Sequence, residues 1–215
     1  MPTPTQQQSP SLAYAAQFVA EDEALLDARS RASQLGCVPI EPDGGAALRF
    51  LAAALDARAI VEVGTGTGVS ALWMLRGMNP EGVLTTVDRE PEHQRAARET
   101  FAAAGIASNR VRLINGRALD VLPRLADGHY DLVFCDAGRD ELPAYLDEAY
   151  RLLRPGGVLA FDNALWRDQV ADPAHRDPET VAMRDFGRQL RADERLVPCL
   201  LPVGDGLLCA VKRAP

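Results

Sequence analysis

Val61-Glu62-Val63-Gly64-Thr65-Gly66-Thr67-Gly68-Val69-Ser70 joins an apolar strand pattern at 59–63 to a helical pattern at 70–78. Three glycines in alternating positions let the backbone turn sharply and approach a ligand closely, because glycine has no Cβ and tolerates φ > 0. Glu62 stands inside the strand, and a second acid, Asp88, ends the next apolar run at 82–87. Strand, glycine turn, helix, strand, acid is how an α/β sheet holds an adenosine-bearing cofactor at its carboxyl edge.

The glycine spacing bears on which cofactor. A dinucleotide fingerprint needs GxGxxG directly after the strand. Here Val69 stands where the third glycine belongs, and the alternative frame, Gly66 to Ala71, starts two residues late. The order suits a cofactor without a pyrophosphate, whose carboxylate needs only backbone amides and a hydroxyl such as Ser70. Asp88 is placed to accept both ribose hydroxyls.

Outward from this turn, strand and helix patterns alternate. Strands are expected at 59–63, 83–87, 111–115, 130–136 and 158–162. Helices are expected at 70–78, 92–104, 118–125, 143–153 and 179–191, with Arg154-Pro155-Gly156-Gly157 ending the fourth of these. Two apolar runs at 196–202 and 207–213 flank Val203-Gly204-Asp205-Gly206 and read as a β-hairpin. The expected fold is α/β: a doubly wound seven-stranded sheet, mostly parallel, with an antiparallel C-terminal hairpin and helices on both faces. Before the sheet, 11–35 reads as one or two helices, 38–43 as a loop with Pro39 and Pro42 blocking helix, and 45–55 as a helix. Residues 1–10, rich in Pro, Thr and Gln, read as a disordered tail, and 11–215 as one domain with an N-terminal helical cap at 11–55 and a core at 56–215.

The 215 residues carry a net charge of −7 and no Lys/Arg run, which argues against nucleic-acid or anionic-membrane partners. Cys37, Cys135, Cys199 and Cys209 form no CxxC pair and read as buried reduced thiols, so zinc is not expected and a cytoplasmic location is. Leu12, Phe18, Val19, Leu25 and Leu26 of the first helices read as core.

Asp136 ends one strand, and Asp162-Asn163 ends the next. With neighbouring parallel strands about 4.8 Å apart, two carboxylates and an amide oxygen converge at the carboxyl edge. Hard oxygen donors without His or Cys suit Mg²⁺ or Ca²⁺.

The chain resembles the class I S-adenosylmethionine-dependent methyltransferases, and within them the cation-dependent O-methyltransferases of the catechol and caffeoyl-CoA type. The resemblance runs from about residue 38 to 212. It is carried by the glycine turn, Arg117-Ala118-Leu119-Asp120-Val121-Leu122-Pro123, Asp136-Ala137, Leu152-Leu153-Arg154-Pro155-Gly156-Gly157, Asp162-Asn163-Ala164-Leu165-Trp166 and Gly204-Asp205-Gly206. It implies a Rossmann-like fold, S-adenosyl-L-methionine as methyl donor, a divalent cation (Mg or Ca), a phenolic small-molecule acceptor and a homodimer. By position it implies that Glu62, Gly64, Thr65, Gly66 and Ser70 bind the cofactor, with Ser70 on the methionine carboxylate. Asp88 with the adjacent Arg89 would serve the ribose, Ala118 would lie against adenine, and Val38 would close over the methionine side. Asp136 would serve cofactor, catalysis and metal, the last together with Asp162 and Asn163.

One departure stands in the acceptor half. The family motif runs Asp-Ala-Asp-Lys and reaches a Tyr three positions on, whereas this chain has Asp136-Ala137-Gly138-Arg139 and then Leu142. The family lysine is a general base; arginine stays protonated and cannot take a proton. Arg139 then stabilises a metal-activated phenolate, or another group among His129, His175 and Asp140 is the base. Alternatively, the chain binds S-adenosylmethionine with a diverged acceptor site and little or no transfer. Trp166, followed by Arg167, is placed to flank a planar acceptor or to anchor its loop.

Overall fold

The structure, a computed structural model, describes residues 10–136, 138 and 141–214. The expected tail therefore lies outside the described residues except for Pro10, which begins helix α1 (Pro10–Ala16). Helices α2 (Glu23–Leu35) and α3 (Pro42–Ala54) follow. Then come β1 (Ala59–Val63), α4 (Val69–Gly77), β2 (Val83–Asp88), α5 (Pro91–Ala103), β3 (Val111–Asn115), α6 (Ala118–Val121), β4 (Tyr130–Cys135), α7 (Leu142–Leu152), β5 (Leu153–Phe161), α8 (Pro178–Ala192), β6 (Leu196–Leu201) and β7 (Leu207–Lys212).

The seven strands form one sheet in the order β3-β2-β1-β4-β5-β7-β6. The first five run parallel, and β7 and β6 are antiparallel, as the hairpin reading expects. Strand order reverses between β1 and β4, so a crevice opens outside their carboxyl ends. Alternating strand residues feed two cores. Ile60, Leu84, Leu132 and Phe134 pack with α2 to α5 on one face, and Val61, Val87, Val133 and Phe161 pack with α7 and α8 on the other. Burial on both faces explains the near-continuous apolar strands. At the amino ends, the Asp131 carboxylate accepts from Arg58 N, Ala59 N and Arg154 Nε, locking β1, β4 and β5 together.

Several expectations are corrected. Pro42 does not block a helix; it opens α3 with Glu41 as N-cap, since the first turn has no N–H bond for proline to forfeit. α7 ends at Leu152, before Arg154-Pro155-Gly156-Gly157, and those four residues instead bulge between Leu153, paired with Tyr130, and Val158, paired with Leu132. α6 is a single turn, continued by a 3₁₀ turn at Leu122–Arg124. Of the expected core residues in the first helices, Leu25 is fully buried, but Leu12, Phe18 and Leu26 are exposed. Cys135 and Cys209 are buried and Cys37 half-buried, but Cys199 is exposed because β6 is the sheet edge.

Candidate active site

Chain geometry at the end of β1 is forced. Gly64 and Gly66 take φ of 93° and 48°, and Gly68, with φ 85°, is the N-cap of α4 without a side-chain cap. The amides of the first turn of α4 are thus available to an anion. Gly64 N donates to Val87 O at 2.9 Å, and Asp136 N donates to Val63 O at 2.9 Å, so the turn is stitched to both flanking strands.

Glu62 lies beneath this turn and is fully buried. Its two oxygens each meet a hydroxyl, Ser70 Oγ and Thr86 Oγ1, both at 2.5 Å. Burial, more than anything else, pushes the Glu62 carboxyl up to about 8, against the pull of those two hydroxyls. Glu62 is not on the cleft wall; it reaches the cleft through Ser70, which is.

Asp88 closes the far end. Its Oδ2 accepts from Gly66 N at 2.9 Å and lies 3.2 Å from His93 Nδ1, and its Oδ1 accepts from Glu90 N at 2.9 Å. Arg89 points into solvent, 79% exposed, and pairs with Glu90. Ala118 is nearly buried in the second core and is not among the cleft residues.

The cleft holds about 160 Å³. Its floor is the turn from Gly64 to Thr67 with Val69 and Ser70, and its ends are Asp88 with His93 and Asp136. The opposite wall is the segment Cys37 to Ile40, with Val38 83% exposed. That wall is positioned: Arg29 donates to Ile40 O at 2.6 Å while Glu21 grips the same guanidinium. Thr67 Oγ1 likewise donates to Ala28 O, fastening the turn to α2.

Asp136 connects this cleft to the second cluster. Asn163 Nδ2 donates to Asp136 Oδ1 at 3.1 Å. Asp162 is held well above the ordinary carboxylate range, by burial first and then by the Asp136 carboxylate, with Asp205 and Glu41 adding to it. Among the described residues no group of three His, Cys, Asp or Glu is arranged to hold a metal ion, so any cation there relies on the amide as third donor. Asn163 has φ 60°, and Trp166, Arg167 and Asp168 form a left-handed turn with φ of 50°, 54° and 64°. The β6–β7 turn holds this strained loop: Ala164 N donates to Gly206 O, Leu165 N to Asp205 O and Arg167 N to Asp205 Oδ1.

The structure thus brings Gly64, Thr65, Gly66, Ser70, Asp88, Val38 and Asp136 onto one cleft, with Asp162 and Asn163 beside it, and leaves Glu62, Arg89 and Ala118 off its wall. Arg139 and Asp140 lie outside the described residues. The backbone amide of His129 donates to Leu152 O at the start of β4, the edge opposite the site, and His175 is exposed on the loop beside Asp172. Neither stands where an acceptor would be deprotonated. Sequence reasoning misses His93 and Cys37. The signal for His93 is its place in the first turn after Pro91, which turns it back over the end of β2.

The sequence profile of the O-methyltransferase family matches residues 17–213. A probable O-methyltransferase of Mycobacterium tuberculosis is 50% identical over 200 residues, covering 93% of this chain and 89% of the relative. A crystal structure of a Corynebacterium glutamicum protein superposes with a TM-score of 0.87 at 33% identity, covering 94% and 95% of the two chains. The O-methyltransferase TomG of Streptomyces achromogenes, involved in tomaymycin synthesis and solved with S-adenosylmethionine, gives a TM-score of 0.84 at 31% identity, covering 94% and 95%. With this fold and this cleft, the chain belongs to the O-methyltransferase family of class I S-adenosylmethionine-dependent enzymes.

Proposed function

We propose that this enzyme methylates a hydroxyl of a catechol-like or phenolic small molecule with the help of a divalent cation. The observation that carries this reading is that Asp136 belongs to both clusters: it lines the cofactor cleft and bonds Asn163 beside Asp162. S-adenosylmethionine supplies an electrophilic methyl group on a sulfonium. Ser70 and the free amides at the start of α4 receive its carboxylate, Asp88 its ribose hydroxyls, and the Cys37 to Ile40 wall covers its methionine end.

The donor set fits a hard cation. Burial and the Asp136 carboxylate raise the proton affinity of Asp162, and a half-turn of the Asn163 amide presents its oxygen in place of the nitrogen. Asp136, Asp162 and Asn163 would hold the cation, which would supply Lewis-acid chemistry that lowers the pKa of an acceptor hydroxyl. Placing acceptor oxygen and sulfonium in line is then the main task, one of positioning. Arg139, permanently charged, stabilises the phenolate and removes no proton.

The helices 11–55 act as a cap, and a second copy of the chain is the proposed partner of α1. α1 buries none of its own residues and presents Leu12, Tyr14 and, just beyond it, Phe18 to solvent, with Phe50 of α3 also exposed. Light scattering on the eluting protein reads the dimer directly.

The deciding experiment is methyl transfer to a panel of catechols and simple phenols, with and without chelator, beside a thermal shift. S-adenosylhomocysteine is expected to raise the melting temperature and NAD to leave it unchanged. Transfer confined to non-phenolic acceptors would sink the phenol assignment, and transfer indifferent to chelator would remove the cation.

A further inference from the structure

Glu62 is a buried acid with no obvious task. Among the described residues, the charged or titratable groups that face it are Asp88 from the end of β2 and Asp136 and Cys135 from the end of β4; α4 offers Ser70, while Gln94 of α5 reaches Thr65 and His93 of α5 is turned to Asp88. No cation among the described residues forms an ion pair with it.

The hydrogen bonds around it have a direction. Gln94 Nε2 donates to Ile114 O at 2.9 Å; a carbonyl only accepts, so this bond fixes the amide, and the same nitrogen donates to Thr65 Oγ1 at 3.3 Å. Thr65 Oγ1 lies 2.7 Å from Thr86 Oγ1, and Thr86 donates to Glu62 Oε2. The Thr65–Thr86 contact can run in either direction; with Thr86 donating to Oε2, the 2.5 Å contact between Oε1 and Ser70 Oγ is the one through which a neutral Glu62 would donate. If Ser70 donates to Glu62, lone pairs face the cleft and repel an anion. If Glu62 donates to Ser70, the Ser70 proton turns outward and receives one.

We propose, building on the placement of the methionine carboxylate at Ser70, that Glu62 is a positioning residue: a neutral acid that donates to Ser70 and so aims the serine proton at that carboxylate. Complete burial, two acids and no cation around it all favour the neutral form. The raised carboxyl then sets a pH limit on cofactor binding. Above about 8 Glu62 ionises, Ser70 turns inward, and a third negative charge faces the ligand.

The test is calorimetric titration from pH 6.5 to 9.5 with S-adenosylhomocysteine and with 5′-methylthioadenosine, which has the same nucleoside but no carboxylate. The proteins are wild type, Glu62→Gln, Glu62→Ala and Ser70→Ala. The amide introduced by Glu62→Gln donates to Ser70 at every pH. Glu62→Gln is expected to match wild type at pH 7 and to bind S-adenosylhomocysteine about tenfold tighter than wild type one pH unit above the Glu62 pKa, with no such divergence for methylthioadenosine. The ligand's own amine titrates in both proteins and cancels in their ratio. Glu62→Ala should lose affinity at pH 7 for S-adenosylhomocysteine alone.

If Ser70→Ala weakens S-adenosylhomocysteine but Glu62→Gln is as poor as Glu62→Ala at pH 7, or tracks wild type at every pH, the role of Glu62 is overturned while the carboxylate placement stands. If Ser70→Ala binds both ligands as wild type does, the placement itself falls, and this role with it. Should Glu62→Gln fail to fold, the carboxyl ¹³C shift of Glu62 in the wild-type complex decides. A neutral acid at pH 7 supports the role, and a carboxylate overturns it.

Discussion

An ideal Cβ on Gly64 would stand 2.1 Å from the carbonyl oxygen of Asp136. The cofactor turn and the strand end that leads to the acceptor cluster are therefore nested backbone to backbone, and no side chain fits between. Gly64→Ala must displace Asp136 and also strain a φ of 93°. We expect a loss of about 2–4 kcal/mol in chemical denaturation, together with loss of S-adenosylhomocysteine binding by calorimetry.

Asp205 is the clasp of the loop that follows Asn163. Its carboxylate accepts from Arg167 N at 2.7 Å, in the middle of three successive left-handed residues. Asp205→Ala removes an acceptor that holds a conformation the chain does not favour alone. The acceptor KM should rise several-fold, while S-adenosylhomocysteine affinity stays within about twofold and stability drops by about 1 kcal/mol. Equal losses on both ligands would count against a loop-specific role.

Glu62 makes stability fall as pH rises. Its carboxyl is raised from 4.5 to about 8 in the folded chain, so between those values the folded state binds more protons than the unfolded one. The contribution is complete below 4.5 and is lost on passing through about 8. Urea midpoints at pH 5, 7 and 8.5 should decline for the wild type more steeply than for Glu62→Gln.

Asp162→Asn and Asp136→Asn should each lower methyl transfer at least tenfold, and chelator should do the same to wild type. Mg²⁺ titration then restores only the wild type. Because Asp162 is not a cleft residue, Asp162→Asn should leave S-adenosylhomocysteine affinity unchanged by calorimetry.

Arg139→Lys introduces a group that can lose its proton. On a weakly acidic phenol a positioned base contributes about 10²–10⁴-fold, so a gain of at least about tenfold in kcat, rising with pH, is expected from stopped assays. On a strongly acidic phenol the gain should vanish.

The sheet was legible because burial on both faces writes itself as apolar runs of strand length, separated by Gly and Pro. The cofactor turn was legible for a related reason: three glycines in five residues have few other uses. What escaped came from tertiary context. Glu62 reads as a ligand because it precedes the turn, yet strand alternation carries it inward to Ser70 and Thr86. Arg154-Pro155-Gly156-Gly157 reads as a helix stop, but pairing across the sheet turns it into a bulge. Leu12 and Phe18 read as core because periodicity marks a face as apolar without saying what covers it. Cys37 was invisible because it approaches the cleft from the segment before α3, and the signal for His93, its place in the first turn after Pro91, gains meaning only once β2 is placed beneath it.

The loop after Asn163 hangs on the β6–β7 turn mainly by main-chain amides, those of Ala164, Leu165 and Arg167. Any residue but proline supplies such a donor. The stretch beyond is tied instead to α8, where Arg184 donates to the carbonyls of Gln169, Val170, Asp172 and His175, so it is exchangeable together with that helix and without touching the cofactor cradle. A fold fastened in this way can exchange one acceptor for another by grafting a single segment while the methyl-donating half stays as it is.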